Sequence, residues 1–161
     1  MKINDKSGQA LIEALVAIGF MTVGFLAIFS LLSRSLSLNR SSAESYTAAY
    51  LAAEGIEVAR NIVDANGIQK KAWSDGFSSA DYEVQYDSTS FTSNQNRFIF
   101  YNPSTNLYSY SGSIQTPFKR LIRIRMISAA EIRVNSIVSW TSLGGGSPQI
   151  NVEDHFMNWR I

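Results

Sequence analysis

A single imidazole, His155, stands beside Glu153 and Asp154 near the C-terminus. In an extended strand Glu153 and His155 share a face. A carboxylate next to an imidazole is the elementary unit of acid–base catalysis and one half of a metal site. Two ligand-type side chains are too few for a structural metal, and no serine sits in a recognisable nucleophile elbow. The sequence holds no Cys, which removes thiolate nucleophiles, zinc–thiolate sites and disulfides together. The glycine-rich run at 143–148, LGGGSP, lacks the Lys and the following helix that phosphate binding requires. The expectation is a surface histidine, no metal, no cofactor and no enzymatic activity.

A second chemistry-bearing group is basic. Lys119, Arg120, Arg123, Arg125 and Arg133 fall on two adjacent apolar-alternating stretches, relieved by Glu131. Such a cluster is one way to contact nucleic acid, yet no aromatic stacking platform accompanies it on those stretches. Arg123 and Arg125 alternate with Ile122 and Ile124, so a solvated sheet face accounts for them equally well. With 14 Lys plus Arg against 13 Asp plus Glu, the chain as a whole is not built to neutralise phosphates.

The third group is one residue. Glu13 is the sole charge between residues 9 and 33, and residues 14–33 carry none. Residues 14–32 read ALVAIGFMTVGFLAIFSLL, and about 20 helical residues at about 1.5 Å each cover the roughly 30 Å hydrocarbon core of a bilayer. The run is longer than a secretory h-region and leads into LLSRSLSLNR without a small-residue cleavage site. Lys2 and Lys6, offset by Asp5, precede the span, and Arg34 and Arg40 follow it, so charge bias leaves orientation open. An acid at the edge of a span asks for a partner or for the headgroups. Cleavage before it would create an α-amino group with a pKa near ~8, able to pair with the carboxylate in its own chain or in a neighbour.

The leader supplies the context. MKINDKSG precedes QALIEALVAIGFMTVGFLAIF, placing a glycine, four residues, a glutamate and the span in that order. This arrangement resembles the class III signal of type IV pilins and pseudopilins. The resemblance implies cleavage between Gly8 and Gln9 by a cytoplasm-facing prepilin peptidase, N-methylation of Gln9, and a role for Glu13 in recruiting the neighbouring subunit during assembly. Major pilins most often begin with Phe, and Gln9 leans toward a minor pilin or pseudopilin. TAAYLAAEGIEVARNI, TPFKRLIRI and VSWTSL resemble PilV-type minor pilins. The implied partners are other pilin subunits, the peptidase, an inner-membrane assembly platform and membrane lipid before assembly. Nucleic acid remains an open partner through the basic cluster.

The elements that position these residues follow from periodicity. Tyr46, Ala49, Tyr50, Ala53, Ile56 and Val63 recur at helical intervals and predict that the span helix continues and lays one stripe on a globular domain. From residue 9 to 63 such a helix is about 80 Å long. DANG at 64–67 predicts its end. Gly19 and Gly24 are positions where the span could lose helicity or permit close helix contact. Beyond, Tyr82, Val84 and Tyr86 alternate with polar residues, residues 97–101 face 107–111 across NPSTN as a hairpin, and residues 87–96 read as a solvated loop.

The last third predicts three antiparallel strands. Phe118, Arg120, Ile122, Ile124 and Met126 share a face of the first; Ile132, Val134, Ser136, Val138 and Trp140 share a face of the second; Ile150 and Val152 lie in a third, ending at FMNWRI. The expected fold is α+β and pilin-like: a long N-terminal membrane-spanning helix packed by its C-terminal half on an antiparallel sheet. The expected organisation is a leader at 1–8, a transmembrane and filament-core helix at 9–33, and a periplasmic or extracellular head at 34–161 carrying 12 of the 14 basic residues. The expected function is that of a structural subunit in a type IV pilus-like filament, held in the cytoplasmic membrane before assembly. The competing readings are a non-polymerising, single-span membrane-anchored binding protein and a major pilin.

Overall fold

The structure is a computed structural model and describes residues 6–142 and 145–159. Most of the predicted leader, residues 1–5, lies outside the described residues, as do Leu143 and Gly144 of the LGGGSP turn and the terminal Arg160 and Ile161. The fold is α+β. One helix, α1 (Lys6–Ile68), precedes eight strands: β1 (Asp81–Glu83), β2 (Thr92–Ser93), β3 (Phe100–Asn102), β4 (Leu107–Ser109), β5 (Ile114–Gln115), β6 (Phe118–Ser128), β7 (Glu131–Trp140) and β8 (Gln149–Met157).

Two compact units divide at Ala43 and Glu44. In the first, every residue from 8 to 43 is exposed. Its apolar side chains, from Leu11 at 68% exposure through Phe20 at 75% to Leu38 at 62%, have no protein cover. A surface this apolar is stable only against lipid or another apolar body. Among the described residues α1 is the one helix long and apolar enough to cross a membrane. Gly19 and Gly24 do not interrupt it, and the Thr22 hydroxyl back-bonds to the Ile18 and Gly19 carbonyls.

The second unit holds the core. Its main sheet has the order β2-β1-β6-β7-β8 and a smaller one the order β4-β3-β5, with antiparallel pairing throughout. Strands β6 and β7 bury alternate residues over most of their length, as β-branched alternation dictates. Ile122, Ile124, Ile132 and Val134 pack with Ile56, Val58, Ala59 and Ile62 of α1, and Phe118, Val138 and Trp140 pack with Ala48, Leu51 and Ala52.

The packed stripe of α1 differs from the expected one. Ile56 is buried and Val63 half-buried, but Tyr46 and Tyr50 are 70% and 77% exposed, and Ala53 is exposed too. The side facing the sheet is instead Ala48, Leu51, Ala52, Gly55, Ile56, Ala59 and Ile62. Small residues win because the helix lies close on the strands. A Cβ at Gly55 would meet Ile122 Cδ1 at 2.7 Å and clash with the Ser136 hydroxyl. No tyrosine fits such a gap.

Elsewhere the expected elements shorten. The hairpin pairs Phe100 with Ser109 and Asn102 with Leu107, and Asn106 adopts a positive φ of 57° in its turn. Within the region read as a loop, Thr92 and Ser93 form β2 against β1. The connection between β7 and β8 contains Gly145 and Gly146 at φ of 78° and 106°, a backbone region that favours glycine.

Candidate functional site

Three groups of residues carry the chemistry anticipated from the sequence. At the start of α1, Gly8, Gln9 and Glu13 are helical and exposed. Residues four apart stack on one face of a helix, so Gln9 and Glu13 stand one turn from each other. Glu13 is therefore within reach of whatever group position 9 presents.

The basic cluster does not hold together. Arg120 is a correction: it points into the core, and its side chain is 2% exposed. Its Nη1 donates to the Leu51 carbonyl at 2.9 Å and to Glu54 Oε1 at 3.0 Å, and its Nη2 donates to the Val84 carbonyl at 2.6 Å. One guanidinium thus ties α1, β6 and the end of β1 together. Arg120 is unable to touch nucleic acid.

The remaining cations occupy the opposite, solvent-facing side of the sheet. Arg123 forms a two-pronged pair with Asp81 at 2.9 and 2.8 Å, and Arg125 reaches the same carboxylate at 3.9 Å. The Arg123 hydrogen bond holds the Asp81 carboxyl below its ordinary pKa of 3.8. Lys119 lies over the Phe98 ring at 4.4 Å. Arg133 sits between Arg125 and His155 in the strand register. Asp81, Glu131 and Glu153 intersperse this face, giving mixed charge rather than a positive stripe.

His155 is a surface histidine with both nitrogens engaged. Nδ1 lies 2.7 Å from Glu131 Oε1 across β7, and Nε2 lies 3.2 Å from Glu153 Oε1 on its own strand. Hydrogen bonding to Glu131 first, and to Glu153 second, raises its pKa above the ordinary 6.5. A hydrogen bond from Asn135, then one from His155, lowers that of Glu153. With a carboxylate oxygen within hydrogen-bond distance of each nitrogen, both polar atoms of the ring are engaged inside the protein. Among the described residues no group of three or more His, Asp or Glu converges as a metal set.

One buried charge was invisible in the sequence. The alternation of Tyr82 and Val84 places Glu83 on the solvent side, yet its side chain is fully buried. Oε1 accepts the Gln95 and Arg97 backbone N–H groups at 2.9 and 3.1 Å, and Oε2 accepts Arg97 Nε and Nη2, both at 2.8 Å. Four donors on two oxygens satisfy the carboxylate, and they fasten the segment after β2 to the core. The Arg97 guanidinium also lies 4.5 Å over the Tyr110 ring, whose hydroxyl is pushed to a higher pKa by burial. Only the partner's position, 14 residues on, would have revealed this pair.

Comparison with protein-family models, curated proteins and solved structures finds no match for this chain.

Proposed function

We propose that this chain is a type IV pilin-like structural subunit, a minor pilin or pseudopilin, made with a cleavable leader and polymerised through its N-terminal helix. The observation that carries the reading is Glu13: the only charge in residues 9–33, five positions beyond Gly8 and one turn from Gln9 on an exposed apolar helix. Supporting it are the one-sided packing of the second half of α1 and the C-terminal antiparallel sheet. In this reading the cut between Gly8 and Gln9 leaves a protonated α-amino group that pairs with Glu13, in the same chain or in the subunit entering beside it. The protein rests as a single-pass protein of the cytoplasmic membrane and ends in a periplasmic or extracellular filament. Its work is mechanical, with no catalysis of its own. Its partners are like subunits, the peptidase that trims it, and the membrane platform that extrudes it.

Mass spectrometry of the chain extracted from membranes of cells with a prepilin peptidase tests the first step. The expected N-terminus is Gln9, with or without one added methyl; an intact Met1 refutes the assignment. Glu13→Ala and Glu13→Lys are expected to remain membrane-inserted but to be lost from sheared filaments. Incorporation at the native level would remove Glu13 from the mechanism.

A further inference from the structure

The main sheet has two outer strands of very different character. β2, at one edge, is two residues long, too short to template another chain. β8, at the other, has nine residues and nothing hydrogen-bonded beyond it in the sheet order. The edges of the smaller sheet, β4 and β5, are three and two residues. Among the described residues β8 is the one long free edge.

Its hydrogen-bonding phase follows from its two ends. Trp140 N–H donates to the Pro148 carbonyl, and Asn158 N–H donates to the Ala130 carbonyl. In an antiparallel pair every second residue shares the ladder, so even-numbered positions of β8 bond to β7. The backbone groups of Asn151, Glu153, His155 and Met157 therefore turn to the open edge.

Two of those groups are not open: the Met157 carbonyl accepts the Trp159 N–H at 3.0 Å at the end of the strand, and the His155 N–H is engaged in its middle. The His155 N–H donates to Asp154 Oδ1 at 2.8 Å, while Asp154 Oδ2 accepts Arg60 Nη2 at 2.6 Å. Asp154 pairs in register with the fully buried Val134, so its carboxylate sits on the helix side of the sheet. A charge at an inward-facing position of an outer strand is costly to cover, and a side chain that occupies an edge N–H removes a donor an incoming strand would need.

We propose that Asp154, held by Arg60 of α1, is a gate on the β8 edge that keeps a second copy of this chain from pairing strand to strand. A strand laid along β8 would have to strip the carboxylate from His155 N–H and bury it away from water. In a two-fold antiparallel pairing centred on Glu153, that residue would also face its own counterpart, and like charges directly opposite are destabilising. Copies concentrated on a membrane by their apolar helices would otherwise meet at this edge. The gate leaves association to surfaces other than the sheet.

The test is amide hydrogen exchange with sedimentation on the full chain in detergent micelles, beside Asp154→Ala, Asp154→Val and Arg60→Ala. Valine suits a strand position opposite Val134, so that variant decides if the alanine variant fails to fold. In the native chain the His155 amide is expected to exchange about tenfold more slowly than those of Asn151 and Glu153. Both Asp154 variants should lose that protection. As concentration rises, their Asn151 and Glu153 amides should slow by about tenfold while a dimer forms. Arg60→Ala, at an exposed helix position, should speed His155 exchange; no change there removes Arg60 from the gate. Association through the apolar helix leaves Asn151 and Glu153 unprotected, so the two routes are separable. The proposal falls if those amides stay fast at every concentration in the Asp154 variants, or are already slow in the native chain.

Discussion

Glu83 and Arg97 show how much one residue can hold in a small head. Removing the carboxylate strands two backbone donors and a guanidinium, and groups of that kind cost about 1–3 kcal/mol when left unsatisfied. Glu83→Ala should lower unfolding stability by about that much in urea titration of the detergent-solubilised chain. Two other residues make stability depend on pH, with opposite signs. Asp81 has a lowered pKa in the folded chain, so its contribution is complete above about 4 and disappears as pH falls through the folded value. Asp81→Asn should flatten the acid limb of a stability profile. His155 has a raised pKa, so its contribution is complete below about 6.5 and disappears as pH rises through the folded value. His155→Gln should remove that loss, and a profile identical to the native one would refute the bridging role. At this scale the sequence was a partial guide. It placed His155 beside Glu153, but Glu131 is 24 residues away and Glu83 looked solvent-facing, because pairing across strands is set by register that no local pattern records.

Element by element, the strands were the most legible. The alternation in β6 and β7 identifies most of the buried positions, down to Ser136, because a sheet covered on one side forces a period of two; Met126, past the covered part of β6, is exposed, and Asn135 is buried out of phase. Arg120 shares that inward parity, although its charge alone groups it with the surface cations. In the molecule the parity wins, since the Leu51 carbonyl of the helix, the Val84 carbonyl just beyond β1 and Glu54 take both terminal nitrogens of the guanidinium. The packed stripe of α1 obeys a related rule: hydrophobic size favours Tyr46 and Tyr50, whereas the approach of helix to sheet selects Ala48, Ala52, Gly55 and Ala59 between Leu51, Ile56 and Ile62. Gly55 is the sharpest instance. Gly55→Ala should gain helix propensity yet lose about 1–3 kcal/mol by overpacking against Ile122 and Ser136. A variant as stable as the native chain in thermal unfolding would show that the helix can lift from the strands without penalty.

For the molecule as a whole, the core among the described residues belongs entirely to the unit that begins at Glu44, and residues 8–43 are all exposed. A chain starting at Ala43 should be soluble without detergent and give a cooperative thermal transition, while the full chain should require detergent. Aggregation of the shortened chain in plain buffer would contradict a self-sufficient head. Charge spacing starts the head at residue 34, whereas the compact unit begins at Glu44, because residues 34–43 continue the exposed helix. Where the second half of the helix docks was not legible in the sequence, because its partners come from far along the chain.

That separation orders events in time. Leu51 waits 69 residues for Arg120, Arg60 waits 94 for Asp154, and Glu44 waits 96 for Trp140. The meander of β6, β7 and β8, by contrast, closes through short connections. During synthesis the helix is made first, yet its packed face has no cover until the last strands leave the ribosome. For that interval Leu51, Ile56 and Ile62 are exposed but separated by Ala48, Ala52, Gly55 and Ala59, a broken apolar surface that offers misfolding partners less to grip than a continuous one.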